Sequence, residues 1–441
     1  MSMVPIIAFV LVMVAAVWLF ARNVRRIRRN ILLGRDEDRS DRAGERWGVM
    51  ARVALGQGKM VVRPIAGLLH IIVYAGFVII NIEVLEIIID GLFGTHRIFS
   101  SLGVVYDLLI ASFEWLALGV WLACAIFLVR RYGLRIKRFW NKEMTAWPRT
   151  DAALILFTEI ALMTAFLLMN AADVNLQARG VDHYVRAGSF PVSGLIAPSL
   201  AGLSDQGLIV VERVCWWFHI IGILAFLNYL PYSKHFHILL AFPNTFFSNL
   251  WPKTRLVNMP RVAGEVRSML DPSVPPPEPA QRTAAGVEVP ERFGAKDVFD
   301  LTWKNLMDAY TCTECGRCTS ECPAHLTGKL LSPRKIMMDT RDRLEEVGRV
   351  IDGKGKWEDD GKSLHSRITD EELWACTTCN ACTQACPVNI DPVGIITDMR
   401  RYLVMEESSS RPALMSMFTN VENNGAPWAF GPDKRMQWTE E

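Results

Sequence analysis

The distribution of apolar residues divides the chain into two unequal parts. Apolar side chains dominate roughly the first 250 residues, whereas charged and polar residues are spread evenly through the remainder. Five stretches are apolar and long enough to cross a bilayer as helices, at 4–20, 65–89, 104–129, 152–169 and 208–230. The pattern therefore predicts an all-α protein in which a five-helix transmembrane bundle precedes a helical soluble domain.

Basic residues indicate how these spans are oriented. The segments RRIRR after the first span and RRYGLRIKR after the third are strongly basic, while the loops at GLFGTHRIFSS and 171–207 are poor in Lys and Arg. Basic loops stay on the cytoplasmic side, so the N-terminus is expected outside and the chain from about residue 233 inside. Because its charges follow the first apolar run, that run is interpreted as an uncleaved anchor. We expect a multi-pass protein of the cytoplasmic membrane.

A segment rich in Pro, Ala and charged residues follows the last span. DPSVPPPEPAQRTAAGVEVPERFG, at 271–294, favours extended chain. The predicted divisions are a membrane domain (1–250), a Pro-rich linker (251–296), a soluble domain (297–405) and a C-terminal tail (406–441). The tail, which contains NVENNGAPWAFGPDKRMQW, shows little helical pattern and is interpreted either as loosely packed chain or as a docking segment for a partner.

Eight of the ten cysteines fall into two runs, CTECGRCTSECP at 312–323 and CTTCNACTQACP at 376–387. Both have the spacing C-x2-C-x2-C-x3-C-P of bacterial ferredoxins that bind [4Fe–4S] clusters, in which the fourth cysteine ligates the other cluster. Zinc usually takes four ligands from paired knuckles, and a disulfide framework conflicts with a cytoplasmic location. The spacing therefore predicts two [4Fe–4S] clusters, the first held by Cys312, Cys315, Cys318 and Cys386 and the second by Cys376, Cys379, Cys382 and Cys322.

Histidines near the spans indicate a further redox cofactor. Clusters in the cytoplasm need a path to a membrane carrier, and haem b held by histidines from two helices usually supplies it. His70 on the second span matches His237 in depth, so these two are predicted as axial ligands of one haem b. If the fifth helix is continuous, His219 and His237 share one face about 27 Å apart, whereas His235 points elsewhere. His219 is the candidate for a second haem; the alternatives are an interfacial His237 and a hydrogen-bonded core His70.

Two carboxylates lie on the outer half of the second span. Glu83 and Glu86 are three residues apart and therefore on one helical face. Carboxyl groups at that depth are costly and usually functional. They are candidates for a quinone or proton site, and structural pairing is the alternative.

The cysteine-rich stretches resemble a known family. GRCTSECPAHLTGKLLSPRKIM and ELWACTTCNACTQACPVNIDPVGIITDMRR look like the iron–sulfur subunit of heterodisulfide reductases. Behind five spans, they resemble membrane-bound iron–sulfur oxidoreductases whose N-terminal part is similar to the cytochrome b subunit of respiratory nitrate reductase. The resemblance implies a membrane subunit that passes electrons between a soluble partner, such as electron-transfer flavoprotein, and menaquinone or another quinone. Those cytochromes show the same 18-residue histidine spacing on the fifth helix, but the expected second partner on the second helix is Ile80 here.

The sequence also narrows the set of partners. It contains no adjacent cysteine pair of the kind found in CCG motifs, so a separate CCG-type iron–sulfur subunit is expected. The alternatives are a haem-free iron–sulfur membrane anchor and a non-enzymatic redox sensor or scaffold, although a sensor usually has one exposed cluster and an output domain. A net charge of +2, without basic runs interleaved with aromatics, gives no indication of a nucleic-acid partner.

Overall fold

The computed structural model describes residues 3–253, 255–277, 281–289 and 292–440. Within these ranges the chain is predominantly helical, which confirms the predicted all-α class. Its first part contains eight α-helices: α1 (Met3–Ile31), α2 (Ala43–Met50), α3 (Pro64–Phe93), α4 (Val104–Leu128), α5 (Trp147–Arg179), α6 (Ser193–Leu200), α7 (Asp205–Tyr229) and α8 (His237–Phe246). Of these, α1, α3, α4, α5 and α7 are long and apolar enough to cross a membrane, as predicted. We call residues 3–250 the five-helix unit.

Glycines allow the long helices to approach closely. A Cβ placed on Gly76 of α3 would lie 2.5 Å from Val120 on α4, and one on Gly222 of α7 would lie 2.6 Å from Leu162 on α5. Small residues at helix contacts are typical of membrane bundles, because packing between the backbones replaces the missing hydrophobic driving force. Large apolar side chains such as Leu108 point away from the bundle and remain exposed. This pattern suits helices surrounded by lipid.

The fifth long helix differs from the prediction in one respect that matters for the site. α7 ends at Tyr229 and is followed by two 3-10 turns, Leu230–Tyr232 and Lys234–Phe236, before α8 begins at His237. Pro231 lies in the first turn and has no N–H to continue the helical hydrogen bonds. The prediction that His219 and His237 share one face of a continuous helix is therefore wrong.

The linker is more structured than predicted. It contains α9 (Pro260–Leu270) and a short antiparallel pair formed by β1 (Gln281–Arg282) and β2 (Glu288–Val289). Arg35, after α1, forms bridges with Thr283 and Thr302 and so brings the end of the linker back to the five-helix unit. Part of the predicted extended segment, residues 278–280 and 290–291, lies outside the described residues.

The last part of the chain is a helical domain around the cysteines. Its helices are α10 (Trp303–Thr311), α11 (Arg317–Ser320), α12 (Pro323–Leu326), α13 (Pro333–Lys354), α14 (Asp370–Ala375), α15 (Ala381–Ala385), α16 (Pro392–Met405) and α17 (Pro412–Asn424). We call residues 297–405 the cysteine domain. The tail beyond it contains α17, a helix that the sequence pattern did not indicate.

The cysteine domain packs directly on the inner end of α1. Ile27 and Ile31 of α1 share a hydrophobic core with the apolar side chains of α10 and α13. The Asn30 side chain donates a hydrogen bond to the Tyr310 hydroxyl at 2.9 Å. A Cβ on Gly348 of α13 would lie 2.5 Å from the Asn30 amide nitrogen. The basic extension of α1 is thus a docking element, although its apolar half alone was predicted as a span.

Candidate iron–sulfur centres and membrane redox site

The first cysteine run forms a tight loop after α10. Cys312 follows the last residue of α10, and Cys318 lies within α11. Between them, Gly316 has a φ of +71°, a conformation that favours glycine. A Cβ there would lie 2.5 Å from the Arg334 guanidinium. Glycine therefore lets the loop turn beneath this arginine.

One small cavity brings cysteines of the two runs together. It is lined by four of the predicted ligands, Cys312, Cys315, Cys318 and Cys386, which we call the first centre. Cys382 also borders it. Three residues of the first run therefore lie beside the last cysteine of the second run, which is the arrangement that exchange of the fourth ligand requires. The ligand assignment itself stays a prediction.

The second centre, as we call it, consists of the other four cysteines: Cys322, Cys376, Cys379 and Cys382. The Cys376 thiol interacts electrostatically with those of Cys322 and Cys379, and the Cys382 thiol interacts with that of Cys376. Cys322 and Cys382 are buried, Cys376 is half-buried and Cys379 is exposed. The second centre therefore reaches the protein surface.

The surroundings of the thiols suit iron–sulfur clusters. The Ile390 N–H donates to Cys386 Sγ at 3.3 Å, and the Thr378 N–H donates to Cys376 Sγ at 3.4 Å. Hydrogen bonds to sulfur are a general means of stabilising bound clusters. Burial raises the pKa of the Cys312 thiol to about 12, so a free thiol keeps its proton at neutral pH until a metal displaces it.

The number of ligands distinguishes a site for a cluster from a site for a single metal ion. Across the described ranges, no three His, Cys, Asp or Glu side chains are grouped to hold a single metal ion. A [4Fe–4S] cluster instead needs four thiolates spread around a larger inorganic core. The cysteine runs fit that requirement, because they supply four thiols to each centre.

The first centre lies against the five-helix unit. Lys59, between α2 and α3, donates from Nζ to the Cys386 carbonyl oxygen at 3.1 Å. The Lys59 carbonyl oxygen in turn accepts a hydrogen bond from Arg317 Nη1 at 2.9 Å. Arg317 lies between two cysteines of the first run. Both cysteine runs are therefore tied to the same short connection of the five-helix unit.

A buried carboxylate makes a second connection between the two parts. Glu314, in the loop between Cys312 and Cys315, is only 4% exposed. It accepts a hydrogen bond from Lys234 Nζ of the five-helix unit at 2.6 Å and pairs with Arg341 of α13 at 2.9 Å. These two cations lower the pKa of Glu314 against the opposing effect of burial. The Glu314 carboxylate therefore links Lys234 to α13 through two ion pairs.

Histidine rings lie at the same inner end of the five-helix unit. The rings of His235 and His237 are 5.4 Å apart, and His70 interacts electrostatically with His237 and Arg317. His70 Nδ1 is buried without a hydrogen-bond partner in the described structure, and His237 Nδ1 lies 3.0 Å from the Lys234 carbonyl oxygen. A ring nitrogen bonded to a carbonyl leaves the other nitrogen available for a metal. His70 and His237 therefore fit the axial ligands of a haem.

The predicted orientation of His235 is wrong. It was expected to point away from His237, but the 3-10 turns after α7 bring the two rings together. The His235 ring also lies 5.4 Å from Phe226. Burial lowers the pKa of His235 to about 3 and also lowers that of His237. Both rings are therefore neutral at pH 7, the form in which imidazole binds metals.

His219 lies deeper in the helix bundle and is fully buried. Its Nδ1 is 3.0 Å from the Leu162 carbonyl oxygen, and its ring is 5.8 Å from that of Phe166. Ile80, where a histidine partner would be expected from the resemblance to the nitrate reductase cytochromes, is a buried core residue. His219 thus has the same hydrogen-bonding pattern as His237 but is separate from the His70–His237 pair.

A cavity of about 280 Å³ opens at the end of the five-helix unit opposite the cysteine domain, and we call it the outer cavity. Apolar and aromatic side chains, among them Phe9, Trp216 and Trp217, form part of its wall. Glu83 and Glu86 line it as well, together with Arg97. The cavity thus combines an aromatic wall with a strongly polar one, to which Asp90, His96, Asp173, Glu212 and Arg213 also contribute.

The two predicted carboxylates have different surroundings. Glu86 accepts hydrogen bonds from the Phe99 N–H and the Tyr106 hydroxyl, both at 2.9 Å. Glu83 is 4.0 Å from Arg97 and keeps one carboxylate oxygen without a hydrogen-bond partner in the described structure. Glu86 therefore has a structural role, whereas Glu83 retains an open acceptor.

Sequence reasoning missed Arg97, which is buried beside this cavity. Its guanidinium donates to Asp173 at 2.6 Å and to Asn170 at 2.8 Å. A single arginine in a short outer loop gives no sequence signal of burial. The partners, Asn170 and Asp173, were the available hint, since both directly follow the predicted span at 152–169.

Comparisons with known proteins agree with this geometry. Residues 311–390 match the family model of the 4Fe-4S dicluster domain, which supports iron–sulfur clusters in the cysteine domain. The chain is 29% identical to the probable iron-sulfur-binding oxidoreductase FadF of Bacillus subtilis, over 98% of this chain and 60% of that protein. It is 25% identical to the EtfAB:quinone oxidoreductase of Syntrophomonas wolfei, over 91% of this chain and 55% of that protein.

A shorter match links the chain to heterodisulfide reductases. A component of the ferredoxin/F(420)H(2)-dependent CoB-CoM heterodisulfide reductase of Methanosarcina acetivorans is 32% identical, over 25% of this chain and 56% of that protein. No solved structure matches. The chain thus resembles iron–sulfur oxidoreductases, as predicted, but spans only 55% to 60% of the first two relatives. The likeness of residues 1–250 to a nitrate reductase cytochrome stays a prediction.

Proposed function

We propose that this chain is a membrane electron-transfer subunit of an iron–sulfur oxidoreductase. It passes electrons between a soluble redox partner and the membrane quinone pool through two [4Fe–4S] clusters and haem b. One observation carries the proposal: the first centre adjoins the helix bundle beside His70, while the second centre extends to the protein surface. Redox groups in that order provide a route between a soluble protein and a membrane carrier.

The residues of the chain would bind the redox groups of this route and set their spacing. When bound, each cluster supplies reversible one-electron transfer, and the protein supplies ligands, spacing and local charge. The cysteines of the two centres are the proposed ligands. Lys59 and the Lys234–Glu314 pair fix the first centre on the five-helix unit, which keeps the distance between the cluster and the histidines constant.

We place haem b between His70 and His237. The buried, unpartnered Nδ1 of His70 and the carbonyl-bonded Nδ1 of His237 support this pair. His219 is the proposed ligand of a second haem nearer the outer cavity, because its Nδ1 is likewise held by a carbonyl oxygen, an arrangement that directs the other ring nitrogen toward a metal. A haem at each of these two positions would extend the electron route across the bundle.

We assign the outer cavity to the quinone. Its aromatic wall suits an apolar ring, and the free oxygen of Glu83 suits a hydroxyl group of the reduced form. Glu83 would accept a hydrogen bond from a quinol hydroxyl and take its proton on oxidation. Glu86 would serve only to orient the neighbouring loop, since both its oxygens already accept hydrogen bonds.

The proposed soluble partner binds at the second centre, where Cys379 is exposed. An electron-transfer flavoprotein is one candidate, because the name of one relative includes EtfAB, and a CCG-type iron–sulfur subunit is the other. The C-terminal tail has a docking role in this proposal, supported by the exposed side chains of Trp428, Phe430 and Trp438.

The proposed orientation puts the cysteine domain in the cytoplasm and the N-terminus outside. The basic segment of α1 contacts that domain, for Arg29 pairs with Asp352 at 2.5 Å. Basic segments stay inside, so the domain that this segment contacts belongs to the same side.

A reduced-minus-oxidised visible spectrum of the purified full-length protein, with iron, sulfide and haem counts, tests the cofactor set. We expect b-type bands and about eight iron atoms per chain, as two [4Fe–4S] clusters require. Absence of b-type bands would leave the haem-free alternative. About four iron atoms in place of about eight would contradict two clusters.

A further inference from the structure

We infer that Lys59, Arg138 and Arg317 give the cluster at the first centre a higher reduction potential than the cluster at the second. This inference rests on the proposal that the protein binds two clusters. Two of these three cations belong to the five-helix unit. The inference goes beyond the cofactor assignment because it gives the direction of spontaneous electron movement: from the exposed second centre toward the helix bundle.

Two cations surround the first centre through direct contacts. Lys59 Nζ lies 3.1 Å from the Cys386 carbonyl oxygen, and its ammonium interacts electrostatically with the Cys386 thiol. Arg317 lines the cavity of the first centre and interacts with Cys315 and Cys386. Neither Lys59 nor Arg317 has a carboxylate partner among the described ion pairs. Their charge therefore acts on the centre without local compensation.

Arg138 adds the third cation from the loop between α4 and α5. Its Cβ lies 3.4 Å from the point that a Cβ on Gly316 would occupy, so its backbone is directly beside the first cysteine loop. Its guanidinium interacts electrostatically with Cys315 and packs over the Phe139 ring at 4.9 Å. No carboxylate pairs with Arg138 in the described part of the chain.

Other charges near the first centre compensate one another. Glu314 pairs with Lys234 and Arg341 at 2.6 and 2.9 Å, and these two cations also pair with Asp151 and Asp342 at 3.7 and 3.3 Å. Two further arginines that approach this centre are also paired with carboxylates, at 2.9 and 2.8 Å, namely Arg63 with Glu321 and Arg334 with Glu143. The net charge around the first centre is therefore positive, because Lys59, Arg138 and Arg317 have no carboxylate partner among the described ion pairs.

The second centre has one charge of each sign. Arg400 donates two hydrogen bonds to the carbonyl oxygens of Leu373 and Cys376 and interacts with the Cys376 thiol. Asp391 interacts with the Cys382 thiol from the other side. The effects of Arg400 and Asp391 on a cluster oppose each other.

Both centres have the same number of buried cysteines and the same kind of hydrogen bond to sulfur, although Cys379 of the second centre is exposed. Each centre has two buried cysteines, Cys312 and Cys386 in the first, Cys322 and Cys382 in the second, and the other cysteines are half-buried or exposed. Backbone N–H groups bond to sulfur at both centres. Net charge, sulfur hydrogen bonds and exposure all set cluster potentials, and we assign the order of the two potentials to the charge difference.

The step concerned is a one-electron exchange. With clusters bound, the cysteines of the two centres would hold groups that supply this exchange: one electron would leave the second centre and enter the first, and no bond or proton would be transferred. The electron enters from a reduced soluble carrier of the flavoprotein or ferredoxin class. Reduction adds one negative charge, which nearby cations stabilise by Coulomb attraction, more strongly away from bulk water.

The test is a redox titration of the full-length protein in detergent, followed by electron paramagnetic resonance of the two clusters. Arg138→Gln and Lys59→Gln should each lower the midpoint of the higher-potential cluster and leave the other unchanged. Arg400→Gln should lower the midpoint of the lower-potential cluster only. The charge-retaining variants Arg138→Lys and Lys59→Arg should keep the wild-type values.

Arg135→Gln is the matched control, because Arg135 is exposed on the same basic loop, lies over the Trp140 ring at 5.6 Å and has no ion pair among the described residues. It should shift neither midpoint. Equal midpoints in the wild-type protein, or a downward shift of the lower-potential cluster in Arg138→Gln, would overturn the inference while leaving two clusters in place. An iron count of about four would instead contradict the two-cluster proposal itself.

Discussion

At the residue scale, similar side chains of this chain have different surroundings. Glu83 and Glu86 lie one helical turn apart on α3, yet hydrogen bonds occupy both oxygens of Glu86, while Glu83 keeps a free acceptor. Cys379 is exposed, whereas Cys382, three residues later, is buried. Chemistry at this scale therefore depends on which neighbours the fold brings to each atom.

The exchange of the fourth cysteine between the runs can be tested with paired double variants. Cys315→Ser with Cys386→Ser should remove one cluster and leave about four iron atoms per chain, because both residues belong to the first centre. Cys382→Ser with Cys386→Ser should damage both clusters. Iron and sulfide analysis distinguishes the outcomes. The reverse pattern would mean that each run holds its own cluster.

The haem assignment predicts a sharp difference between neighbouring histidines. His70→Ala and His237→Ala should each abolish the b-type bands assigned to the inner haem and leave the iron–sulfur content intact. His235→Ala, in the same turn as His237, should retain those bands, since His235 packs on Phe226. Difference spectra of the three purified variants provide the measurement. Loss of the bands only in His219→Ala would refute the His70–His237 pair.

At the element scale, helices follow from hydrophobic periodicity, but their ends and partners do not. The spans and the amphipathic helices α13 and α16 were predictable, because their apolar patterns are long and regular. The end of α7 at Tyr229 was not, since a proline in a membrane helix either kinks it or ends it according to its neighbours. For the same reason the grouping of His235 with His237 was missed.

Contact between α1 and α13 should depend on the absence of a side chain at Gly348. Gly348→Val places methyl groups against Asn30, so we expect docking of the cysteine domain to weaken by about 1–3 kcal/mol, as for other overpacked contacts. Gly353→Val, on the same helix, is the control, because nothing lies within 4 Å of a Cβ there. Limited proteolysis should cleave only the Gly348 variant faster, with iron content unchanged in both. Equal cleavage rates would contradict this contact.

At the scale of the whole molecule, the positive charge of α1, the cysteine domain and the inner histidines lie at one end, and the Glu83 cavity lies at the other. The five apolar helices and the iron–sulfur domain were visible in the sequence, because the length of an apolar run and the spacing of cysteines are local patterns. The cavity was not, since it depends on Arg97, whose burial leaves no trace in a short loop. A single sequence gives no local signal for the long-range packing of an isolated polar residue such as Arg97.

The proposed orientation predicts which surface positions react from outside the cell. Leu195→Cys, at an 81% exposed position before α7, should be labelled in intact cells by a membrane-impermeant maleimide. Met269→Cys, at an 82% exposed position in α9, should be labelled only after permeabilisation. Unmodified protein gives the background from native cysteines. Labelling of Met269→Cys in intact cells would invert the topology.

The most direct test of electron transfer between a soluble carrier and the membrane quinone uses liposomes that contain the full-length protein and menaquinone. Pre-reduced ferredoxin is added on the side of the cysteine domain, and the reduction of menaquinone is followed by its absorbance. The wild-type protein should reduce the quinone, whereas Cys386→Ser protein should fall to the rate of liposomes without protein. Quinone reduction by Cys386→Ser at the wild-type rate would contradict a path through the first centre.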